Sequence, residues 1–166
     1  MDDALNNIER LLLKTNGLAV SGITEDRECP AYSGCSFQIG NRSILFRNAK
    51  CTPKKKGHFV TLWKRDAQKQ TQPFELTDAI DFYMIAAARQ HQSGFFFFPK
   101  SILGEKGILT VGNKQGKRGF RVYTDWDFYL NKQAQRTKDW QTNYFIDLTE
   151  VNNTDASGFI AIMNQY

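Results

Sequence analysis

SILFRNAKCTPKKKGHFVTLWKR, residues Ser43 to Arg65, is the stretch on which the reading of this chain turns. Its two ends, Ser43 to Lys50 and His58 to Arg65, are rich in Ile, Phe, Val, Thr and Trp, while Thr52-Pro53 and Gly57 punctuate the middle. That pattern predicts a β-hairpin with a lysine-rich turn. Alternation along the strands places Ile44, Phe46 and Asn48 on one face and Leu45, Arg47 and Ala49 on the other, with Val60 and Leu62 opposed to Phe59, Thr61 and Trp63. One face is then apolar and the other mixes Arg with Trp, and the second is expected to meet a ligand.

Charge is segregated around this stretch. Between Arg42 and Arg65 stand eight basic residues, Arg42, Arg47, Lys50, Lys54, Lys55, Lys56, Lys64 and Arg65, and no acid. A second acid-free segment carries Lys114, Lys117, Arg118 and Arg121. The two hold 12 of the 22 basic residues and leave 10 against 17 acidic ones elsewhere, a net of −7 beneath the overall +5. Like charges so crowded repel one another until a polyanion or counterions arrive, and nucleic acid is the commonest such polyanion. An edge hairpin protected by lysines against sheet-to-sheet pairing is the plainer alternative. Phe46, Phe59, Trp63, Phe120 and Tyr123, interleaved with the cations, favour the anion-binding surface.

Working outward, 166 residues with 41% hydrophobic and 13% aromatic content predict a single domain, 1–166, with one core. No apolar run approaches the roughly 20 residues of a membrane span, and acids occupy the positions where a signal peptide carries bases, so a cytosolic protein without membrane insertion is expected. Cys29, Cys35 and Cys51 form no CxxC pair, which predicts neither a disulfide framework nor a zinc site. Cys51 and His58 face each other across the turn but make only two ligands. No metal and no cofactor is expected.

The remaining chain reads as an α+β arrangement, a central mixed or antiparallel sheet flanked by helices. Leu5, Ile8, Leu11, Leu12 and Leu13 predict a helix over Asp2 to Lys14, stopped by Asn16-Gly17. Ile23 to Cys29 reads as a polar link, Tyr32 to Ile39 as a strand, and Gly40-Asn41 as a tight turn. Thr77 caps a predicted helix from Asp78 to about Gln92 through Ile80, Met84, Ala87 and Ala88. Gly94 to Phe98, GFFFF, predicts a strand covered on both faces and so the centre of the core. Pro99 opens a short helix or turn, Gly107 to Val111 and Phe120 to Tyr123 read as strands, and Thr124 caps a helix from Asp125 to about Trp140. Tyr144 to Leu148 closes the sheet, and the tail after Glu150 reads as loosely held.

Catalytic motifs are missing. The PD-(D/E)xK nuclease arrangement needs an acid two residues before a lysine, and no such pair exists; Asn48-Ala49-Lys50 stands closest but lacks the metal-binding charge. Asp78 with Asp81, and Asp125 with Asp127, are weak candidates for a divalent metal, since acids in a first helical turn serve the dipole alone. GNKQGKRG, Gly112 to Gly119, lacks the P-loop spacing and reads as a flexible basic finger.

FRNAKCTPKKKGHFVTLWKR, FFFFPKSILGEKGI, GKRGFRVY and NKQAQRTKDWQ together resemble the MepB family, small bacterial proteins often encoded beside a multidrug efflux system, over about Cys35 to Ile146. The resemblance implies a restriction-endonuclease-like α/β fold and nucleic-acid binding. It places the family's basic and aromatic positions on Arg47, Lys50, Lys64, Arg65, Lys100, Lys117, Arg118, Arg121 and Trp126. Charge and resemblance together predict a non-enzymatic, weakly sequence-selective nucleic-acid-binding protein. Its contacts are Arg47, Lys50, Lys54, Lys55, Lys56, Trp63, Lys64, Arg65, Lys100, Lys117, Arg118, Arg121 and Trp126, with DNA favoured over RNA. The alternatives are a metal-dependent nuclease or phosphodiesterase with a rearranged site, and an efflux accessory protein that binds a protein or small molecule.

Overall fold

The four phenylalanines of GFFFF have no polar face to turn outward, and the structure buries them from both sides. A computed structural model describes residues 2–28, 30–150 and 153–166; Cys29 lies outside them. Phe95 and Phe97 point to one side of strand β9 (Gln92–Pro99) and Phe96 and Phe98 to the other, all four fully buried. Alternation with period two thus builds two hydrophobic layers from one strand.

A six-stranded mixed sheet surrounds β9. Its members are β1 (Val20–Glu25), β2 (Cys35–Ile39), β3 (Arg42–Asn48), β8 (Phe82–Arg89), β9 and β11 (Phe145–Asp147), in the order β1-β2-β3-β8-β9-β11. Every adjacent pair is antiparallel except β3 and β8, which run parallel in the register Ile44↔Phe82 to Asn48↔Ala86. Gly40, at φ +60°, makes the tight turn from β2 into β3. On one face lie helix α1 (Asp3–Ile8), its π-helical extension Glu9–Leu13, and helix α4 (Asn153–Gln165). Leu5, Ile8, Leu12, Leu13, Phe159 and Ile162 pack there on Phe37, Phe46, Phe95 and Phe97.

The opposite face carries a second, smaller layer of strands. A parallel neighbour cannot be reached by a tight turn, so the chain makes a long excursion between β3 and β8. This excursion contains β4 (Lys50–Thr52), β5 (Lys55–Thr61), β6 (Trp63–Arg65) and β7 (Thr71–Pro73). β5 forms the middle of a second, three-stranded sheet with β4 and β10 (Gly119–Val122), while β6 and β7 make a separate ribbon. Val60, Leu62, Phe120 and Val122 bury this second layer against Leu45, Tyr83, Ile85, Phe96 and Phe98. Helices α2 (Lys100–Glu105) and α3 (Lys132–Gln141) flank it.

Several expectations are overturned. The predicted hairpin Ser43–Arg65 is divided among three sheets: β3 joins the large one, β4 and β5 form the tighter hairpin, and Trp63–Arg65 pairs with Thr71–Pro73. Asp78–Gln92 is not helical. Phe82 to Ala87 is buried at every position, as suits a strand inside a sheet covered on both faces, and a helix would have turned Phe82, Tyr83 and Ile85 toward water. The helix predicted from Asp125 begins at Lys132, because Asn131 and not Thr124 supplies the capping side chain, accepting from the Ala134 amide at 2.8 Å. Ile23 to Glu25 belongs to an edge strand rather than a link, and the tail forms α4, docked through Phe159 and Ile162.

Gly94 is where β9 meets β11 most closely. A Cβ there would lie 2.6 Å from the Ile146 carbonyl oxygen and 2.6 Å from the Phe145 ring. Gly94→Ala is expected to cost about 1–3 kcal/mol of unfolding free energy through overpacking, read by urea denaturation.

Candidate nucleic-acid interface

β5 pairs with β4 on one side and β10 on the other, in the registers Lys50↔Phe59 and Arg121↔Phe59. The two acid-free segments of the sequence therefore meet on one small sheet. Between this sheet and α3 opens a cleft of about 760 Å³. Lys54, Lys55, Lys56, Lys106, Lys117 and Arg121 line it, and no Asp or Glu does. Phe120, Tyr123 and Trp140 supply apolar surface inside it. Gly57, at φ +76°, lets the hairpin approach: a Cβ would stand 2.7 Å from the Tyr123 ring.

Within the cleft Lys106 pairs with Glu105, its Nζ 3.6 Å from Oε1, and the other cations divide into positioned and uncompensated. Arg121 donates from Nη1 to the Lys56 carbonyl at 3.0 Å and from Nη2 to Thr52 Oγ1 at 2.7 Å, fastening β10 to the hairpin. Lys56 Nζ donates to the carbonyls of Phe128 and Tyr129 at 2.9 and 2.7 Å. These acceptors are neutral, so both charges remain. Lys54, Lys55 and Lys117 are exposed, and their ammonium groups make no hydrogen bond or ion pair among the described residues. A concave, one-sign surface of this kind concentrates field lines and raises the local concentration of a polyanion.

The other expected contacts lie elsewhere. Arg47 is fully buried, its Nη2 2.6 Å from Asp26 Oδ2, and its place on the liganded face is thereby corrected: the Leu45–Arg47 face of β3 is covered. Trp126 is also interior, packed edge-on against Phe145 and donating from Nε1 to Asp147 at 3.0 Å. Lys64 is held between Glu75 and Asp78 at 2.8 and 2.6 Å, and Arg65 pairs with Glu28 at 2.7 Å while its guanidinium lies 5.2 Å from the centre of the Trp63 ring. Lys50 covers the Tyr32 ring at 4.8 Å, Arg118 donates to the Thr71 carbonyl at 2.9 Å, and Lys100 is half-buried beyond the cleft lining.

The acid pairs are structural. Asp78 accepts from Lys64 and from the Glu75 amide at 2.8 Å, and Asp81 accepts from the Ser43 amide at 2.8 Å, tying β3 to the start of β8. Asp127, buried, accepts from the Thr124 amide at 2.8 Å and from Arg89 at 3.0 Å. Burial raises the Asp125 pKa above the usual carboxylate value. Asn48 donates to Asp2 Oδ2 at 2.9 Å, so the position closest to a nuclease motif is an amide–carboxylate pair. Among the described residues no three His, Cys, Asp or Glu side chains converge to hold a metal.

Cys51 and His58 do meet, with Sγ 3.2 Å from Nε2, while the same nitrogen lies 3.1 Å from the Ala88 carbonyl. His58 is fully buried under the hairpin, and that burial lowers its pKa from 6.5.

Sequence reasoning missed Lys106, Tyr129 and Trp140, all lining the cleft, and Phe128 beside it. Starting the expected helix at Asp125 instead of Lys132 hid the aromatic pair, since helical spacing assigned it no special exposure. GEKG gave no sign that Lys106, at the end of α2, points toward α3, where its Nζ lies 5.6 Å from the centre of the Trp140 ring.

A small mixed α/β domain with one basic, acid-free cleft is thus defined by the fold and its surface. The sequence matches the MepB-like family over residues 26–147, and the chain belongs to that family. The crystal structure of MepB superposes with a TM-score of 0.79 at 34% identity, covering 91% of this chain and 100% of that one. A bacterial homing endonuclease superposes with a TM-score of 0.43 at 14% identity, covering 82% of this chain and 85% of that one. No curated protein matches the sequence. Among the described residues no helix is long and apolar enough to cross a membrane.

Two outcomes separate scaffold from surface. Arg47→Ala, which strands Asp26 and opens a hole beneath β3, is expected to cost about 3 kcal/mol of stability, Arg47→Met less, as read by urea unfolding. Because His58 is held neutral, its folded pKa lies below its unfolded one. Its share of stability is intact above pH 6.5 and falls as acid protonates the unfolded chain first, by at most about 1.4 kcal/mol per pH unit. His58→Gln is expected to flatten the decline of melting temperature between pH 7 and pH 5.

Proposed function

We propose that this protein binds nucleic acid without processing it, holding the phosphate backbone in the cleft between the β4–β5 hairpin, β10 and α3 with little sequence selectivity. The observation that carries the reading is the convergence of six cations from three separated segments on a cleft lined by no acid. Uniform positive charge serves phosphates, which repeat along any sequence. A cytosolic DNA-binding role beside a drug efflux system is consistent with the family's setting. Catalysis is not part of the proposal: Asp78 and Asp81 are engaged by Lys64 and by the Ser43 amide, and incubation with plasmid and Mg2+ or Mn2+ is expected to yield no cleavage.

Fluorescence anisotropy with labelled oligonucleotides across a salt series tests the reading. Each phosphate-binding lysine removed is expected to flatten the plot of log K against log salt by about 0.7 for single strands or about 0.9 for duplex. Lys54→Ala with Lys55→Ala should therefore lower the slope by roughly twice that amount, and Lys117→Ala by one step. Lys64→Ala, whose charge is already met by two carboxylates, should leave it unchanged. Salt-independent binding, or none at low salt, would overturn the proposal and leave the charge to a protein partner of the efflux system.

A further inference from the structure

Among the described residues the two most exposed large hydrophobic side chains are adjacent in sequence and stand at the rim of the basic cleft: Phe128 is 61% and Tyr129 95% exposed. Leaving such side chains in water forgoes the free energy that burying them would release. The backbone adds its own cost, because Tyr129 sits at φ +57°, where a bulky non-glycine residue is strained.

The segment that carries them is nevertheless held firmly. Lys56, from the hairpin, donates to the carbonyls of both residues, and its Nζ lies 5.4 Å from the centre of the Tyr129 ring. From the other side, Lys138 of α3 donates to the Asp127 carbonyl at 2.8 Å with its Nζ 4.8 Å from the centre of the Phe128 ring. Asp127, buried beneath, fixes the turn through Thr124 and Arg89, and Asn131 caps α3 immediately after. Three elements thus immobilise the backbone of a segment whose two aromatic rings they leave in solvent. Each ring has an ammonium near it, and a ring 95% exposed keeps surface open to a partner.

We propose that Phe128 and Tyr129 form a preorganised stacking platform for unpaired bases, so that the cleft's preferred ligand is a single-stranded nucleic acid whose phosphates lie along the lysines while its bases stack on the rings. This rests on the nucleic-acid reading above and narrows it. Every base has a π-face, so such stacking adds affinity without sequence preference. In a duplex those faces are already stacked on each other and out of reach. The cations around the rings complement the backbone that a stacked base brings with it, and they argue for a polyanion over an apolar peptide as the occupant.

The test compares wild type, Tyr129→Ala, Phe128→Ala and Tyr129→Phe on a single-stranded oligonucleotide containing 2-aminopurine and on the matching duplex. Both alanine variants are expected to bind the single strand about 5- to 100-fold more weakly, with an unchanged salt slope, little change on duplex, and loss of the 2-aminopurine quenching seen with wild type. Tyr129→Phe, which keeps the ring, should retain affinity and quenching. Unchanged single-strand affinity in both alanine variants would overturn the platform while leaving phosphate binding in the cleft intact. Equal losses on duplex and single strand would instead make the rings a wedge between paired bases, also against the proposal. Wild type that binds neither form would remove both readings together.

Discussion

Every layer of this molecule is referred to one strand that has no solvent side. Phe95 and Phe97 meet Phe159 at centroid distances of 6.0 and 4.7 Å on one face of β9, while Phe98 meets Trp140 and Tyr144 at 5.5 and 6.0 Å on the other. A strand so constituted demands cover on both sides, and the chain supplies two different covers: terminal helices on the first face, the small basic sheet with α2 and α3 on the second. The cleft belongs wholly to the second cover.

Electrostatics follows the same division. Cations that face the scaffold are matched, as with Arg47 to Asp26 and Lys64 to Glu75 and Asp78. In the cleft, Lys56 and Arg121 are oriented by carbonyls and a hydroxyl, which direct a donor without cancelling its charge, while Lys106 at the cleft wall pairs with Glu105. A neutral acceptor aims a cation and leaves its charge available, whereas a carboxylate partner would have to be displaced before an anion could bind.

How far the fold could be read beforehand depended on whether a segment had competing interpretations. GFFFF had none, since four consecutive phenylalanines fit only a doubly covered strand, and Gly40-Asn41 and Pro99 marked their turn and helix start correctly. Residues 78–92 had two: Ile80, Met84, Ala87 and Ala88 fall at helical spacing, but the uninterrupted run from Phe82 to Ala87 decided the outcome through burial by β3 and β9, which local pattern does not encode. Arg47 shows the converse failure. A long polar side chain between apolar neighbours reads as surface, and only the tertiary position of Asp26 reveals an interior ion pair. Of the cleft, the charge was legible and the geometry was not: that Lys55 and Arg121 share one sheet depends on pairing between strands about 60 residues apart.

That separation has a bearing on when the cleft exists. Among the described residues five of the eight neighbouring strand pairs join strands consecutive in the chain, but β5 waits for β10, and such long-range closure comes late because loop entropy opposes it until the surrounding layer has formed. A growing chain therefore displays its lysine hairpin well before the second wall is synthesised, as loose charge without shape. The cleft takes its shape only with the arrival of residues 119–141, which supply β10 and α3, its second wall.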